Sequence, residues 1–188
     1  MRAVLLIAAF AATAFAAPHT LLPRNYGGVA LFNNCPNTIY TFTLTGASGL
    51  VHQSNGIAPG EWYWEPYQRP AAPDGATIKL GTAEDGSGAI TQLEYSMTTL
   101  YDNEMLWYDL SNVNCGPTSV SSTAPCPFLN GGMYLRLDDP TCQTATCASG
   151  NEACHDAYNL PDDNWATMGC VYGNNNLVMY MCSPENVG

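Results

Sequence analysis

The residues best suited to chemistry in this sequence are its eight cysteines. An even number of cysteines in an exported chain is typical of a disulfide framework, which here would hold four bridges. The spacings do not fix which cysteine pairs with which. The positions are Cys35, Cys115, Cys126, Cys142, Cys147, Cys154, Cys170 and Cys182.

Zinc binding is the alternative for the crowded stretch that holds Cys142, Cys147, Cys154 and His155. Zinc sites usually repeat closely spaced Cys pairs, and the Cys-x4-Cys and Cys-x6-Cys-His spacings here do not. An oxidising exterior also favours bridges over thiolate ligands. We therefore predict disulfides and no metal site, with His155 as a surface or packing histidine.

The histidines give no sign of a hydrolase or of a bound cofactor. His19, His52 and His155 lack a recognisable nucleophile pattern, and the sequence has neither a Gly-x-Ser-x-Gly motif nor a phosphate loop. Cleavage after residue 16 would place His19 third, as in amino-terminal copper sites. Pro18, however, lacks the amide nitrogen that such a site must deprotonate. We predict no cofactor.

The amino terminus reads as a signal peptide over residues 1–16. It combines one positive charge at Arg2, an apolar run over 3–15 and an Ala-x-Ala ending at 14–16. No later run approaches about 18 consecutive apolar residues, so no membrane span is expected. The remaining residues, 17–188, fit one domain of a secreted protein.

The charge balance of the exported chain is strongly acidic. Sixteen acidic residues face four basic ones once Arg2 is removed. Nucleic acid is excluded as a partner, because phosphate binding needs clustered cations. Such acidity favours solubility and a monomer; a carboxylate-lined groove for a sugar is the functional alternative. The four basic residues are Arg24, Arg69, Lys79 and Arg136.

The elements that must position these groups are strands. Short aromatic and β-branched runs, broken by Gly, Pro, Asn and Asp, predict an all-β sandwich of two antiparallel sheets. We expect the first two strands to form a hairpin around a turn at 33–37. The predicted strands are 28–32, 38–44, 50–53, 61–64, 76–80, 91–97, 105–110, 132–137 and 176–182.

The composition changes after residue 112, where cysteine, proline and glycine become frequent. We therefore expect a β-sandwich over about 27–112 plus 176–183, and a small cystine-rich lobe over about 113–175. Within that lobe, 147–158 is predicted as a short helix that Pro161 and the residues after it would end.

Several runs of the sequence together form a recognisable pattern. They are Ala-Leu-Phe-Asn-Asn-Cys at 30–35, Thr-Ile-Tyr at 38–40, Ile-Ala-Pro-Gly-Glu-Trp-Tyr-Trp-Glu at 57–65, Gln-Leu-Glu-Tyr at 92–95, and Tyr-Asp-Leu-Ser-Asn at 108–112, followed by a cysteine-rich stretch with Asp162, Ala166-Thr167 and Cys170. Together these runs resemble the thaumatin-like proteins and, more closely, the small fungal secreted members, the yeast-phase-specific and antigenic group. The resemblance covers nearly all of the exported chain.

This resemblance implies a thaumatin-like antiparallel β-sandwich with a small disulfide-rich lobe. Between them it implies an acidic cleft, which the larger family associates with β-glucan binding. Glu94 and Asp109 match two acidic cleft positions of the family. The resemblance also implies that Cys35, at the end of the first strand, pairs with Cys182 in the last.

Strand alternation supports the two acids independently. Glu94 shares a face with Gln92 and Ser96, while Asp109 points opposite to Tyr108. If their strands are neighbours, the two carboxylates lie within one sugar ring of each other. Two carboxylates so placed are the minimum for glycosidic cleavage, and their separation decides whether the reaction retains or inverts configuration.

The sequence also departs from the family pattern. Lys79 is the only cation available where the family has a cleft arginine, and a lysine cannot replace a bidentate guanidinium. The glycine- and cysteine-rich signature of larger thaumatins, with its cleft aspartate, is missing. We therefore expect a cleft with fewer walls and fewer charged residues than the cleft of the larger thaumatins.

The richest aromatic cluster is Trp62, Tyr63, Trp64 and Tyr67. A strand sends the two tryptophans to one face and Tyr63 to the other. If the tryptophans are buried, Tyr63 and Tyr67 would form a platform for a sugar, beside Lys79 and the two acids. Core packing is the alternative for most of the cluster.

These observations favour a non-catalytic protein, secreted or associated with the cell wall, that binds cell-wall β-glucan or a host surface. One alternative is a weak endo-β-glucanase that uses Glu94 and Asp109. The other is an effector or antigen that a host protein recognises.

Overall fold

The structure is a computed structural model that describes residues 27–46, 48–70, 74–119 and 121–183. The predicted signal peptide at 1–16, the amino-terminal His19 and the basic Arg24 lie outside these ranges.

The described chain is built almost entirely of strands, which confirms the all-β prediction. Nine of the eleven strands match predicted runs; β9 and β10 were not expected. The strands are β1 (Gly28–Asn33), β2 (Tyr40–Thr45), β3 (Gly49–Gln53), β4 (Trp62–Pro66), β5 (Ala76–Gly81), β6 (Thr91–Leu100), β7 (Asn103–Ser111), β8 (Met133–Leu137), β9 (Ala145–Cys147), β10 (Met168–Val171) and β11 (Leu177–Met181).

The strands form two sheets that pack as a sandwich. The five-stranded sheet has the order β4-β1-β11-β8-β9, and the six-stranded sheet has the order β10-β7-β6-β5-β2-β3. Neighbouring strands are antiparallel except β1 and β11, which run parallel. The two sheets share one continuous hydrophobic core.

Alternation along each strand supplies this core. Val29 and Leu31 of β1 are fully buried in one sheet, while Ile78, Leu93 and Leu110 are fully buried in the other. The last three are consecutive cross-strand partners on β5, β6 and β7. Because side chains alternate between faces, the residues between them on β6 and β7 must point outward.

The predicted hairpin between the first two strands is wrong, because β1 and β2 lie in different sheets. The segment 33–37 is instead a corner that carries the chain from one sheet to the other. The buried Asn33 holds it in place. Its amide nitrogen donates to the carbonyl oxygens of Asn37, at 2.9 Å, and Ile57, at 2.7 Å, and its side-chain oxygen accepts from the backbone N–H of Cys35 at 2.9 Å.

The predicted helix over 147–158 is also wrong. Cys147 ends strand β9 and is bridged to Cys154, and Gly150 between them has a φ of +77°. A left-handed residue inside so short a disulfide loop breaks the helical path. The one helix in the described part of the chain is a 3-10 turn at Asn164–Ala166.

The cystine-rich stretch, expected at about 113–175, contributes strands to both sheets. β8 pairs with β11 and β9 pairs with β8, while β10 pairs with β7 of the other sheet. The pairings of β8 with β11 and of β10 with β7 therefore join this stretch to both sheets. Across the described ranges, no helix has the length and apolar character needed to cross a membrane.

All eight cysteines form disulfides, which confirms the bridge prediction and the Cys35–Cys182 pair implied by the resemblance. The zinc alternative for the crowded stretch is wrong, because the thiolates it needs are bridged. The pairs are Cys35–Cys182, Cys115–Cys126, Cys142–Cys170 and Cys147–Cys154.

Candidate functional site

Glu94 and Asp109 lie directly opposite each other on neighbouring strands. They are cross-strand partners in the antiparallel pair of β6 and β7. Both side chains point to the outer face of the six-stranded sheet, because the flanking Leu93 and Leu110 are buried in the core. Directly opposed residues have Cβ atoms about 4.5–5.5 Å apart, so the two carboxyl groups share one site.

The two acids have different surroundings. The Thr77 hydroxyl on β5 donates to Oε1 of Glu94 at 3.0 Å. Asp109 Oδ1 is buried and has no hydrogen-bond partner in the structure. Burial, together with the charge of Glu94, raises the pKa of Asp109 to about 8. Asp109 is therefore protonated through the acidic and neutral range.

The acids lie in a cleft of about 660 Å³. Its floor is the outer face of β5, β6 and β7, and the segment around 158–167 forms one wall. A volume of this size holds several sugar rings or a small ligand. Its lining, which includes Gln92, Ser96, Ser111, Asn164 and Thr167, is polar and carries no lysine or arginine.

Two aromatic side chains in the cleft lining were not singled out from the sequence. Trp107 is two residues before Asp109 on β7 and therefore shares its face. Its indole N–H donates to the Thr98 hydroxyl at 2.8 Å, and its ring packs directly on Gly169, where a Cβ would lie 2.5 Å away. The two-residue spacing between Trp107 and Asp109, which places both on one face of a strand, is the sequence signal that could have identified Trp107.

Tyr158 is the other aromatic residue of the lining that was not singled out. Its hydroxyl lies 2.6 Å from the Thr167 hydroxyl and 3.3 Å from Oδ1 of Asn164. It also joins the wall to the floor, since its backbone N–H donates to Leu110 of β7 at 2.9 Å. No strand pattern covers this residue, so only the folded chain places it in the cleft.

Lys79 shares the outer face with Glu94 but is not part of the cleft lining. It lies on β5 directly opposite Gln92. Within the part of the chain that the structure describes, it forms no ion pair with either acid. The structure therefore places no cation between the two carboxyl groups.

Tyr63 and Tyr67 are not brought to the cleft. Tyr67 is buried, with 8% exposure, and packs edge-on against Tyr95 and Tyr172. Tyr63 points into the sandwich from β4 and packs on the core, while Trp62 lies on the outer face of that sheet. The expected tyrosine platform is therefore absent from the described site.

The inward position of Tyr63 is explained by a buried acid that sequence analysis did not single out. Glu65 is only 1% exposed. Its carboxylate accepts hydrogen bonds from the Tyr63 hydroxyl at 2.8 Å and from the Thr43 hydroxyl at 2.9 Å. Nδ1 of His52 lies 2.9 Å from the Tyr63 hydroxyl and 3.8 Å from the carboxylate. The cluster joins the edges of the two sheets.

Metal binding has no ligand set in the described ranges, where no three histidine, cysteine or acidic side chains cluster suitably. His155 is a surface residue. Its Nδ1 lies 3.4 Å from Oδ1 of Asp156, and its ring centroid lies 6.2 Å from that of the exposed Trp165.

Known proteins are similar to this chain over most of its length. The secreted thaumatin-like protein calA of Emericella nidulans is 34% identical over 163 residues, which cover 86% of each chain. An antigenic thaumatin-like protein of Arthroderma benhamiae is 29% identical over 164 residues, covering 87% of this chain and 75% of that protein. These relatives confirm the prediction of a secreted thaumatin-like protein.

A solved structure shows the same fold. The protein elicitor MoHrip2 from Magnaporthe oryzae superimposes with a TM-score of 0.64 at 20% identity, covering 84% of this chain and 99% of the elicitor. The model of the Blastomyces yeast-phase-specific protein family, Bys1, matches residues 20–183. The chain belongs to the Bys1 family of thaumatin-like proteins.

Proposed function

We propose that this secreted protein binds a neutral polysaccharide chain, cell-wall β-glucan, in the cleft around Glu94 and Asp109, and does not cleave it. The observation that carries the proposal is the direct cross-strand pairing of these two acids on the floor of the cleft. The protonated carboxyl group of Asp109 gives a donor and the oxygens of Glu94 give acceptors beside it, which suits the hydroxyl groups of a sugar.

The protonation of Asp109 favours a neutral ligand. With a pKa of about 8, Asp109 offers a hydroxyl donor at acidic and neutral pH. Glu94 has one oxygen engaged by Thr77, which leaves the other to accept from a ligand. An anionic ligand would meet Glu94 with no cation in the cleft lining to offset the repulsion.

The aromatic lining supports a sugar over other neutral ligands. Ligand sites combine apolar and aromatic walls with a few well-placed polar groups. Trp107 and Tyr158 supply aromatic surface for the C–H faces of pyranose rings, and each is held by hydrogen bonds. Little ordering is needed on binding, which lowers the entropic cost.

A pair of carboxyl groups is necessary for cleavage but not sufficient. A glycosidase needs one carboxyl group that protonates the leaving oxygen and a second that attacks or activates water. Here one oxygen of Asp109 is buried and one oxygen of Glu94 accepts from Thr77, so each acid has one oxygen left for a hydrogen bond to a sugar. The lining holds no lysine or arginine in place of the family's cleft arginine, and we therefore propose binding without cleavage.

The test is a pull-down on insoluble β-1,3-glucan, run beside a reducing-sugar assay. Asp109→Asn keeps the shape and the donor of the protonated acid, so it should retain wild-type binding. Asp109→Leu removes both donor and acceptor and should weaken binding at least about tenfold, the cost of one good hydrogen bond to a charged or buried partner. Asp102→Asn, in the exposed turn between the same strands, is the matched control.

The proposal is supported if the wild-type protein is retained on the glucan, Asp109→Leu is not retained, and no variant releases sugar. Unchanged retention of Asp109→Leu would exclude the cleft as the binding site.

A weak endo-β-glucanase is the second candidate, because a protonated Asp109 beside Glu94 is the kind of carboxyl pair that a glycosidase uses. It predicts sugar release by the wild type. In that case Asp109→Asn and Glu94→Gln would both abolish the release, whereas Asp109→Asn leaves simple binding intact. The same two assays therefore separate the candidates.

Recognition by a host protein is favoured by the name of one relative, an antigenic thaumatin-like protein. This candidate predicts neither glucan retention nor sugar release. Binding of the purified protein to host-cell surfaces, unchanged in the double variant Glu94→Gln, Asp109→Leu, would support it.

A further inference from the structure

Four aromatic side chains form a continuous row across the outer face of the five-stranded sheet. Trp62, Phe32, Tyr180 and Tyr134 are successive cross-strand partners on β4, β1, β11 and β8. The centroids of neighbouring rings lie 4.9, 6.0 and 6.0 Å apart. With Trp64, these residues are the aromatic face. It lies on the opposite side of the sandwich from the cleft.

The large rings of this face cover the sheet and keep part of their own surface in solvent. Ala30 and Val178, the small residues among them, are fully buried, whereas Phe32, Trp62 and Tyr134 are half-buried. The ring of Trp64 lies on the backbone, since a Cβ at Gly28 would be 2.7 Å from it. The rings therefore present a surface to a ligand and need no conformational change to do so.

A hydrogen-bonded chain fixes the edge of the face. The Trp64 indole donates to Asn176 at 3.5 Å, and Asn176 donates to Asp138 at 2.8 Å. Arg136 donates to Asp138 at 3.1 Å and to the Tyr180 hydroxyl at 3.4 Å. Tyr180, at 2% exposure, is the buried centre against which Trp62 packs edge-on at 5.6 Å. Preorganised rings lose little entropy on binding.

We infer that the aromatic face is a second binding site for a neutral polysaccharide chain. The row carries no charge of its own, and the one cation beside it, Arg136, is paired with Asp138. A polyanion finds no free cation beside the row and is repelled by the acidic protein, whose full sequence has a net charge of −11. A polycation finds no carboxylate among the aromatic side chains of the row. Stacking of sugar rings needs only aromatic surface.

The tilts of the rings specify the form of the polysaccharide. Neighbouring rings are inclined by 39°, 65° and 36°, so the row is not a flat plate. A flexible single chain can place its sugar rings on differently inclined faces, whereas the planar surface of a crystalline polysaccharide cannot. We therefore expect preference for soluble or amorphous β-1,3-glucan over crystalline cellulose.

Two sites on opposite faces make the protein bivalent. If the cleft holds one chain and the aromatic face another, each molecule cross-links two chains or binds one particle with avidity. The choice of β-1,3-glucan as the probe rests on the proposed function, whereas the location of the second site does not.

The experiment uses ¹⁹F NMR of protein that carries 5-fluorotryptophan. The chain has four tryptophans, so it gives four resonances, each assignable by one Trp→Phe substitution. Trp62 and Trp64 report the aromatic face, Trp107 reports the cleft, and the exposed Trp165 is the control. The probe is a β-1,3-glucan hexasaccharide.

Saturable shifts of the Trp62 and Trp64 resonances would support the inference. A shift of the Trp107 resonance alone would overturn the inference of a second site and support binding in the cleft. Shifts of the Trp62 and Trp64 resonances alone would support the second site and contradict binding in the cleft. If Trp62 and Trp64 respond to protein concentration and not to the hexasaccharide, the face binds a second copy of the chain and the inference is overturned.

A pull-down gives an independent test. Trp62→Leu with Tyr134→Leu keeps apolar side chains but removes two stacking rings. We expect retention on insoluble β-1,3-glucan to fall about tenfold or more, because one of two linked sites is lost. Trp165→Leu is the control, and thermal unfolding verifies that each variant is folded. Wild-type retention by the folded double variant would overturn the inference.

Discussion

Asp109 and Glu94 face each other across β6 and β7, and the charge of Glu94 acts together with burial to raise the pKa of Asp109 to about 8. The strand register is what couples them. A shift of one residue in either strand would send one acid into the core and leave the other alone in the cleft.

The first prediction concerns stability against pH. The pKa of Asp109 is raised above the value of about 3.9 in an unfolded chain, so the folded state binds more protons between pH 4 and 8. Asp109 therefore lowers the free energy of unfolding as pH rises through that range, by on the order of 3 kcal/mol for a half-buried group.

Asp109→Asn cannot ionise and should escape this loss. Thermal unfolding at pH 4 and pH 8.5 should show similar stability of variant and wild type at the lower pH, and a more stable variant at the higher pH. Asp102→Asn should behave as the wild type at both. Equal stability of Asp109→Asn and wild type at pH 8.5 would contradict the raised pKa.

The second prediction concerns the coupling itself. Glu94→Gln removes the negative charge opposite Asp109 but leaves the burial. The pKa of Asp109 should fall from about 8 and stay above its ordinary value, because burial is the larger cause. Titration of the labelled Asp109 carboxyl carbon by NMR measures it. No change in Glu94→Gln would show that the two groups do not interact.

The third prediction concerns the buried Glu65. Tyr63→Phe removes the hydroxyl that donates to this carboxylate at 2.8 Å. A lost hydrogen bond to a buried charged group costs about 1.5–3 kcal/mol of unfolding free energy. Urea denaturation measures the change. Tyr101→Phe, at an 89% exposed tyrosine, is the matched control and should be neutral. A neutral Tyr63→Phe would mean that Glu65 is satisfied without this bond.

The fourth prediction compares two disulfides. Cys35–Cys182 closes a loop with a sequence separation of 147, whereas Cys147–Cys154 spans 7. On loop-closure entropy, the loss of the first bridge costs about 5 kcal/mol and the loss of the second about 2 kcal/mol. Paired Cys→Ala substitutions with denaturant unfolding test the order. A larger loss from the Cys147–Cys154 pair would show that native contacts, not chain entropy, dominate.

Much of the fold follows from local patterns. Strand runs such as 91–97 and 105–110 were predicted because aromatic and β-branched residues alternate with polar ones. The same alternation placed Glu94 and Asp109 away from the core side chains of their strands. The number of cysteines and the predicted export signal indicated four disulfides, but not how the cysteines pair. These features depend on residues close in sequence.

The partners of each strand depend on distant residues. The corner at 33–37 looks like a hairpin turn in sequence, but the buried Asn33 and the pairing of β1 with β11 place its two strands in different sheets. Gly150 and the bridge of Cys147 to Cys154 likewise replaced a predicted helix with turns.

Alternation determines which residues share a face, and it does not say which face is buried. On β4 the sequence alone established that Trp62 and Trp64 oppose Tyr63. The packing of the second sheet, which supplies Thr43 and His52 to the buried Glu65 cluster, decided that Tyr63 points inward and the tryptophans outward. Whether a strand face is buried depends on the sheet that packs against it, and the sequence of a single strand does not contain that second surface.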